Sequence, residues 1–344
     1  MLPRDLAKLE VGAALYTPWL DQRGKVVIDT PVFRLDDTTY VNIGGRVGEW
    51  LGQHAKGFDV AIRDVSDEFM VMPLQGPKSR ATIEAATGQD WSALRFMRGR
   101  RTRIGGCELT VWRAGYNSKL SYELHCRRDD AVRIYDAIIE AGGPFGILNI
   151  GQNAVQVSRV EAGIIVPGLE YARSGPDANI AAYVTTRDED LASPYELGLG
   201  WLIDLDKAVD FIGKQALLQE RANGGAPRQL VGLEVDWRDM VALYERAGAA
   251  PEISRRIDYR RHTLRHDGEV VGKASSMCWS PTVRKEIALA QVRKELAKPG
   301  TRLSMDWAEH GIRLTEERVA ECVHGPVGVT LVDLPFVPKA SKLG

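Results

Sequence analysis

The stretch ERANGGAPRQ, residues 220–229, divides the 344-residue chain into two parts with different patterning. Its Gly-Gly and Pro punctuation among charged residues reads as a linker. Before it, strand-like and helix-like segments alternate. After it come LVGLEVDW, EVVGKASSMCW, KEIALAQV, TRLSMDW and VGVTLVDL, short strand candidates at regular spacing. Such spacing with little helix predicts a small β-barrel or a sandwich. We therefore place an α/β region over 1–220, with two subdomains breaking near 140–150, a linker over 221–229, and a β-rich domain over 230–344. The class is α+β, and no internal repeat is visible.

Within the first region, KVVIDTPVFRL (25–35) and TTYVNI (38–43) read as two strands joined at an Asp36–Asp37 turn. A polar helix with Trp50 and Leu51 on one face follows Gly44 and Gly45. FMVMPLQGPKSRATIEAAT (69–87) reads as strand, Gly-Pro turn and helix, with Ser79 or a neighbour as the cap. The clearest helix is 130–141, where Ala131, Ile134, Tyr135 and Ile138 make an apolar stripe, Asp129 or Asp130 caps the start and Gly142–Gly143 stops it. A second helix spans 152–163. From Val166 to Ser193 periodicity fades, and a loop of that length inside a compact domain is functional or disordered.

Composition excludes several classes. A net charge of −1 gives no overall attraction to nucleic acid or an anionic membrane. No apolar run approaches the roughly 18–20 residues of a spanning helix, and the N-terminus lacks a signal-peptide layout. Cys107, Cys126, Cys278 and Cys322 form no CxxC pair and have no histidines at metal spacing, so neither a metal site nor a disulfide framework is expected. Cys126 and His125 are adjacent on a strand and point to opposite faces, which argues against a nucleophilic pair. A reduced, cytoplasmic protein is the expectation. GGRVG (44–48) lacks GxGxxG spacing and FIGKQAL (211–217) lacks the upstream glycine of a phosphate loop.

The informative residues are charges inside predicted core elements, because burying an unpaired charge is costly. Asp29 interrupts an apolar strand. It is either a turn or edge residue beside Pro31 or a carboxylate aimed into a pocket. Glu161 stands near the end of a mostly apolar helix, either exposed in the last turn or turned inward. Arg159 is too close in sequence to pair with it along the helix. Arg46 is either a surface charge or a fork for a substrate carboxylate.

Six strings, in order over residues 13–292, together resemble the aminomethyltransferase family, which includes the glycine-cleavage T-protein and tetrahydrofolate-dependent demethylases. They are ALYTPWLDQRGKVVIDTPVF, LQGPKS (74–79), GYNSKLSYEL, SRVEAG (158–163), SPYELGLGWLIDLDKAVDFIGKQAL (193–217) and GKASSMCWSPTVRKEIALAQV (272–292). The resemblance implies a folate-binding α/β body followed by a C-terminal β-barrel, with tetrahydrofolate as acceptor. It implies that Glu161 binds the pterin, that Tyr16 and Tyr122 line the folate site, and that Gln75 holds the matching glutamine position.

Three departures shape the expected activity. Asn117, Ser118, Lys119 and Ser121 replace Thr, Gly, Glu and Gly of the T-protein signature. The family's aspartate pair is reduced to Ile28–Asp29. The resemblance implies a further N-terminal segment before the ALYTPW region, and part of the first domain is expected to be missing, replaced or supplied by another subunit. YVNIGGRVGEW (40–50) and the insertion 236–259 look like the O-demethylase branch, which acts on methoxybenzoates such as vanillate and syringate. In that branch an arginine of this loop meets the substrate carboxylate, and the resemblance implies that role for Arg46. Demethylation needs a proton for the leaving oxygen, and Tyr171 and Tyr183 in the irregular loop are candidates beside Asp29; equally, each is a loop aromatic anchored on the core. The expected function is a demethylase that moves methyl from a small methoxylated donor to folate N5. A glycine-cleavage aminomethyltransferase and a non-catalytic folate-binding subunit are the alternatives.

Overall fold

The computed structural model describes residues 1–45, 47–117, 119–175, 188–207, 210–251, 256–308 and 323–338. The first sheet is an antiparallel meander of β1 (Ala14–Leu20), β2 (Val26–Arg34) and β3 (Tyr40–Asn42), with β2 in the middle. Asp36 builds the predicted turn, accepting the Thr38 and Thr39 amides on Oδ1 at 2.9 and 2.8 Å. Asp29 is therefore neither a turn nor an edge residue; it is paired with Pro18 in the interior of β2. Pro31 is tolerated beside it because β3 pairs with β2 only over Val32–Arg34, and past that the Pro31 carbonyl accepts the Ile43 amide at 3.5 Å, so only an acceptor is asked of Pro31 on this side. The helix α1 (Gly48–His54) packs Trp50 edge-on against Trp19, with ring centroids 5.3 Å apart.

The second sheet takes β4 (Phe69–Gln75), then, after the helix α2 (Ser79–Thr87), β5 (Gly99–Ile104), β6 (Cys107–Trp112) and β7 (Ser121–Arg127), in the order β4-β7-β6-β5. The helices α2 and α3 (Ala131–Gly142) cover one face. Ser79 does not cap α2; its hydroxyl donates back to the Gly76 carbonyl at 2.8 Å. Nor does Asp130 cap α3, because its carboxylate accepts from Arg133 instead. The α3 stripe is Ala131, Ile134 and Ile138; Tyr135 is 40% exposed, its hydroxyl accepting from Asn149. One residue on from Ile134 is about 100° around the helix, which puts the Tyr135 ring at the stripe's margin, where the hydroxyl stays wet.

The helix α4 (Gln152–Glu161) packs Val160 with Leu20 and Val26 of the first sheet and stops at Gly163, whose φ of +68° only glycine adopts freely. The helix α5 (Lys214–Ala222) leads to β8 (Arg228–Val235), α6 (Trp237–Arg246), β9 (His262–His266), β10 (Glu269–Ser280), β11 (Lys285–Arg293), β12 (Arg302–Ala308) and β13 (His324–Val332). Its six strands close in the order β10-β11-β8-β13-β12-β9, so the architecture is a barrel and not a sandwich. Periodicity had not suggested α6 or β9. Asp236 starts α6 by accepting the Arg238 and Asp239 amides, and Met240, Leu243 and Tyr244 join the barrel core.

Alternation along β11 joins the barrel to the body. Ala288, Ala290 and Val292 point into the barrel, while Ile287 and Leu289 point out and pack with Leu20, Val26, Val160 and Tyr171. The candidate site lies along this seam. Among the described residues no helix is long and apolar enough to cross a membrane.

Candidate active site

Three of the residues singled out in the sequence meet at one point. Tyr16 and Asp29 lie on neighbouring strands, with Tyr16 opposite Pro31, which makes Asp29 its diagonal neighbour on the same face. The Tyr16 hydroxyl donates to Asp29 Oδ2 and the Tyr171 hydroxyl to Asp29 Oδ1. Tyr171 arrives from the segment after α4 and is fully buried. Desolvation pushes the Asp29 carboxyl up to about 7, against the hydrogen bond from Tyr171, and the Glu170 charge adds to the rise. Burial raises the Tyr171 hydroxyl well above the ordinary tyrosine value, and the adjoining Asp29 raises it further. The outcome is a buried acid that exchanges a proton near neutral pH, held in one orientation by two donors.

A second cluster lies alongside. Gln156 and Arg159 are three apart on α4, so they share the face that turns inward. Arg159 is completely buried and donates to Gln156 Oε1 at 2.7 Å, to Glu170 Oε2 at 3.1 Å and to Ser276 Oγ at 2.6 Å. Glu170 also accepts from Val166 N, Ser275 and Ser276. Both members of this ion pair are thus fully hydrogen-bonded, which is the condition for a buried pair to persist. Replacing Arg159 by alanine leaves Glu170 buried without its cation, and urea unfolding is expected to show a loss of about 3–5 kcal/mol. A loss under 1 kcal/mol would contradict that account. Exchanging Glu170 for glutamine in the same chain is expected to recover part of the loss.

Tyr116 joins this region from the loop before β7. Desolvation raises its hydroxyl far above the usual value; Arg159 opposes the rise, and Glu170, Asp29 and Tyr259 reinforce it. Glu161, two residues after Arg159, is 4% exposed, so it is turned inward and not left in the last turn. Its Oε1 accepts the Ser280 hydroxyl at 2.6 Å, and Oε2 has no hydrogen-bond partner among the described residues.

The remaining expectations fare differently. Gln75 bonds none of Asp29, Tyr171 or Glu161; its Oε1 accepts the Asn117 amide, whose own Oδ1 accepts from Ser121 at 2.9 Å. The altered signature is therefore knitted to Gln75 by a local network. Tyr122 is not placed beside Gln75. It pairs with Leu74, while Gln75 pairs with Ser121, so the two point to opposite faces. Tyr122 sits fully buried among Leu74, Ile83, Leu124 and Ile134, under α2 and α3, with no partner for its hydroxyl among the described residues. The side chains that β7 turns toward the first sheet are Ser121, Glu123 and His125, the last against Phe33. Arg46 and Tyr183 lie outside the described residues.

Sequence reasoning did not find Glu170, Ser276 or Ser280 and treated Arg159 only as a failed partner of Glu161. The shared helix face of Gln156 and Arg159 was the one legible sign. The others come from a loop and a distant strand, where no spacing rule operates.

Fold and site together define a two-domain protein whose α/β body presents a tyrosine-held acid at its seam with a closed six-stranded barrel. The chain belongs to the glycine cleavage T-protein family. Residues 1–207 match the GCVT N-terminal domain, and residues 228–337 match the glycine cleavage T-protein C-terminal barrel domain. The aminomethyltransferase of Bacillus licheniformis is 30% identical over 302 residues, spanning 86% of this chain and 73% of that protein. That of Geobacillus kaustophilus is 30% identical over 312 residues, spanning 89% and 76%. The solved structure of glycine cleavage system aminomethyltransferase T from Bartonella henselae has a TM-score of 0.73, over 98% of this chain and 80% of that one, at 21% identity. That likeness is one of fold, and it agrees with the α+β body and barrel expected from the sequence.

Proposed function

We propose that this protein is a tetrahydrofolate-dependent one-carbon transferase, with aminomethyl transfer as the reading its relatives' names favour. The observation that carries it is the Asp29 carboxyl, raised to about 7 and held between Tyr16 and Tyr171 at the domain seam. Bound tetrahydrofolate would supply the nucleophilic nitrogen that accepts the carbon. Glu161 fits such a ligand, because a nearly buried carboxylate with one oxygen free suits the adjacent N–H groups of a pterin edge. Asp29 in its ionised form accepts the proton that an attacking amine releases. In its protonated form it returns one to the departing nitrogen or oxygen. Tyr16 and Tyr171 keep its two oxygens fixed, so the proton moves along one defined direction. The desolvated seam keeps water away from these groups and strengthens their interactions.

Demethylation is the second reading, and Ile28 favours it. Where the family has the first aspartate of a pair, this chain buries Ile28 at 1% exposure in an apolar cluster with Trp19, Val27 and Trp50. A donor that needs two carboxylates at that point would find only one. The donor would then be a small methoxylated carboxylate, with Arg46 as its anchor.

One assay tests both readings. The purified chain is incubated with tetrahydrofolate and either an aminomethyl-loaded lipoyl carrier protein or a panel of methoxybenzoates. Ammonia together with a methylene-level folate supports aminomethyl transfer. A phenol together with 5-methyltetrahydrofolate supports demethylation. Neither product with any donor would sink the transferase reading.

A further inference from the structure

The helix α4 belongs to the body, yet both of its buried charged residues are gripped by one barrel strand. Arg159 reaches Ser276 and Glu161 reaches Ser280, both on β10. The strand is shaped for this. Its register with β11 shifts between Ser275 and Cys278, and Ser276 takes a left-handed φ of +52°. A non-glycine residue in that region is held there by its surroundings. Here the Ser276 hydroxyl lies between Arg159 and Glu170. The bulge re-aims the strand so that Ser276 and Ser280 both face α4.

Ser280 is fully buried, and its hydroxyl has a fixed sense. The amide of Val283 donates to Ser280 Oγ at 3.0 Å, so the hydroxyl's own proton is left for Glu161 Oε1. The turn beyond is closed by Arg284 N donating to the Ser280 carbonyl at 2.7 Å. On the other side, Val337 N donates to the Glu161 carbonyl at 3.0 Å, and Leu334 lies over Gly163. The glutamate is thus fixed from the barrel side at its carboxylate and at its backbone, with Oε2 unengaged among the described residues.

We propose that Ser280 is a positioning residue for Glu161. By holding Oε1 it aims Oε2 at the ligand, so the barrel sets the affinity of a carboxylate borne by the body. This inference rests on the reading of Glu161 as a folate-binding residue.

The test is a double-mutant cycle on the full chain, with the dissociation constant of tetrahydrofolate as the readout and thermal unfolding as a check of folding. Ser280→Ala is expected to weaken binding about tenfold, the scale of one hydrogen bond to a charged group. KM for tetrahydrofolate should rise while kcat at saturation stays within about twofold, because the reacting centre at Asp29 is untouched. Glu161→Ala should weaken binding further, and adding Ser280→Ala to it should cost nothing more. If the two losses simply add, Ser280 acts on the fold and not through Glu161, and the proposal is overturned. It is likewise overturned if Ser280→Ala leaves binding unchanged while Glu161→Ala weakens it. Should Glu161→Ala itself leave affinity unchanged, the folate reading of that residue fails first. Should Ser280→Ala not fold, Ser280→Cys carries the same expectation, since a thiol fills the space but donates weakly.

Discussion

Replacing Asp29 by asparagine is expected to lower turnover by about 100- to 10,000-fold, the range over which a positioned acid–base group acts. The amide keeps the carboxyl's shape, accepting from one tyrosine and donating to the oxygen of the other, so the β1–β2 face is expected to survive. What disappears is the group that exchanges a proton near neutral pH. Wild-type turnover limited by Asp29 as base should rise with pH through about 7, and the variant should lose that rise. A variant with wild-type turnover, or with the same pH profile, would remove Asp29 from the chemistry. Stability gives an independent check. The folded carboxyl titrates at about 7, above its ordinary 3.8. Its contribution is therefore fully present below 3.8 and is lost as pH rises through about 7. The unfolding temperature of Asp29→Asn relative to wild type should be higher at pH 8 than at pH 5. A difference that does not change with pH would mean that Asp29 is not a desolvated carboxyl.

Glu161→Ala is expected to weaken tetrahydrofolate binding by about 100-fold or more, since it removes a nearly buried acceptor for charge-assisted hydrogen bonds. Equilibrium titration reads this directly. The loss should appear in affinity and KM, in contrast to the turnover loss of Asp29→Asn. The alanine also strands the Ser280 hydroxyl in a fully buried place, which costs about 1–3 kcal/mol of stability. Glu161→Gln keeps an acceptor for Ser280 and is expected to recover the stability without recovering the affinity. Recovery of both would show that the negative charge is not what the ligand needs.

How far the site was legible from sequence differs by residue, for reasons that can be named. Asp29 stood out because a carboxylate inside KVVIDTPVFRL breaks an apolar strand. Tyr16 came from the resemblance and Tyr171 from the need for a proton donor in the irregular loop, and the structure turns both onto Asp29. Tyr122 shows the opposite case. A motif gives a residue's place along the chain, but strand alternation gives its face, and Tyr122 and Gln75 fall on opposite faces of one sheet. Likewise the stripe rule chose Tyr135 for the core of α3, and its polar tip kept it at the margin.

The chain's local chemistry was enough to determine most of its parts, α6 and β9 excepted. Glycines and proline at 220–229 mark the change of pattern, β-branched runs make the strands, and the three-to-four spacing of apolar residues makes α3. Six ordered strings were enough for the family. Tertiary structure alone decided that the barrel closes through β9, that Ser276 and Ser280 hold Arg159 and Glu161, and that Asp29 lies between two tyrosines rather than at a turn. Those facts depend on residues 117, 119 and 142 positions apart being brought within hydrogen-bond reach. Propensity and periodicity act over one or two turns of chain. The desolvation that lifts the Asp29 carboxyl exists only once the tertiary fold has buried it.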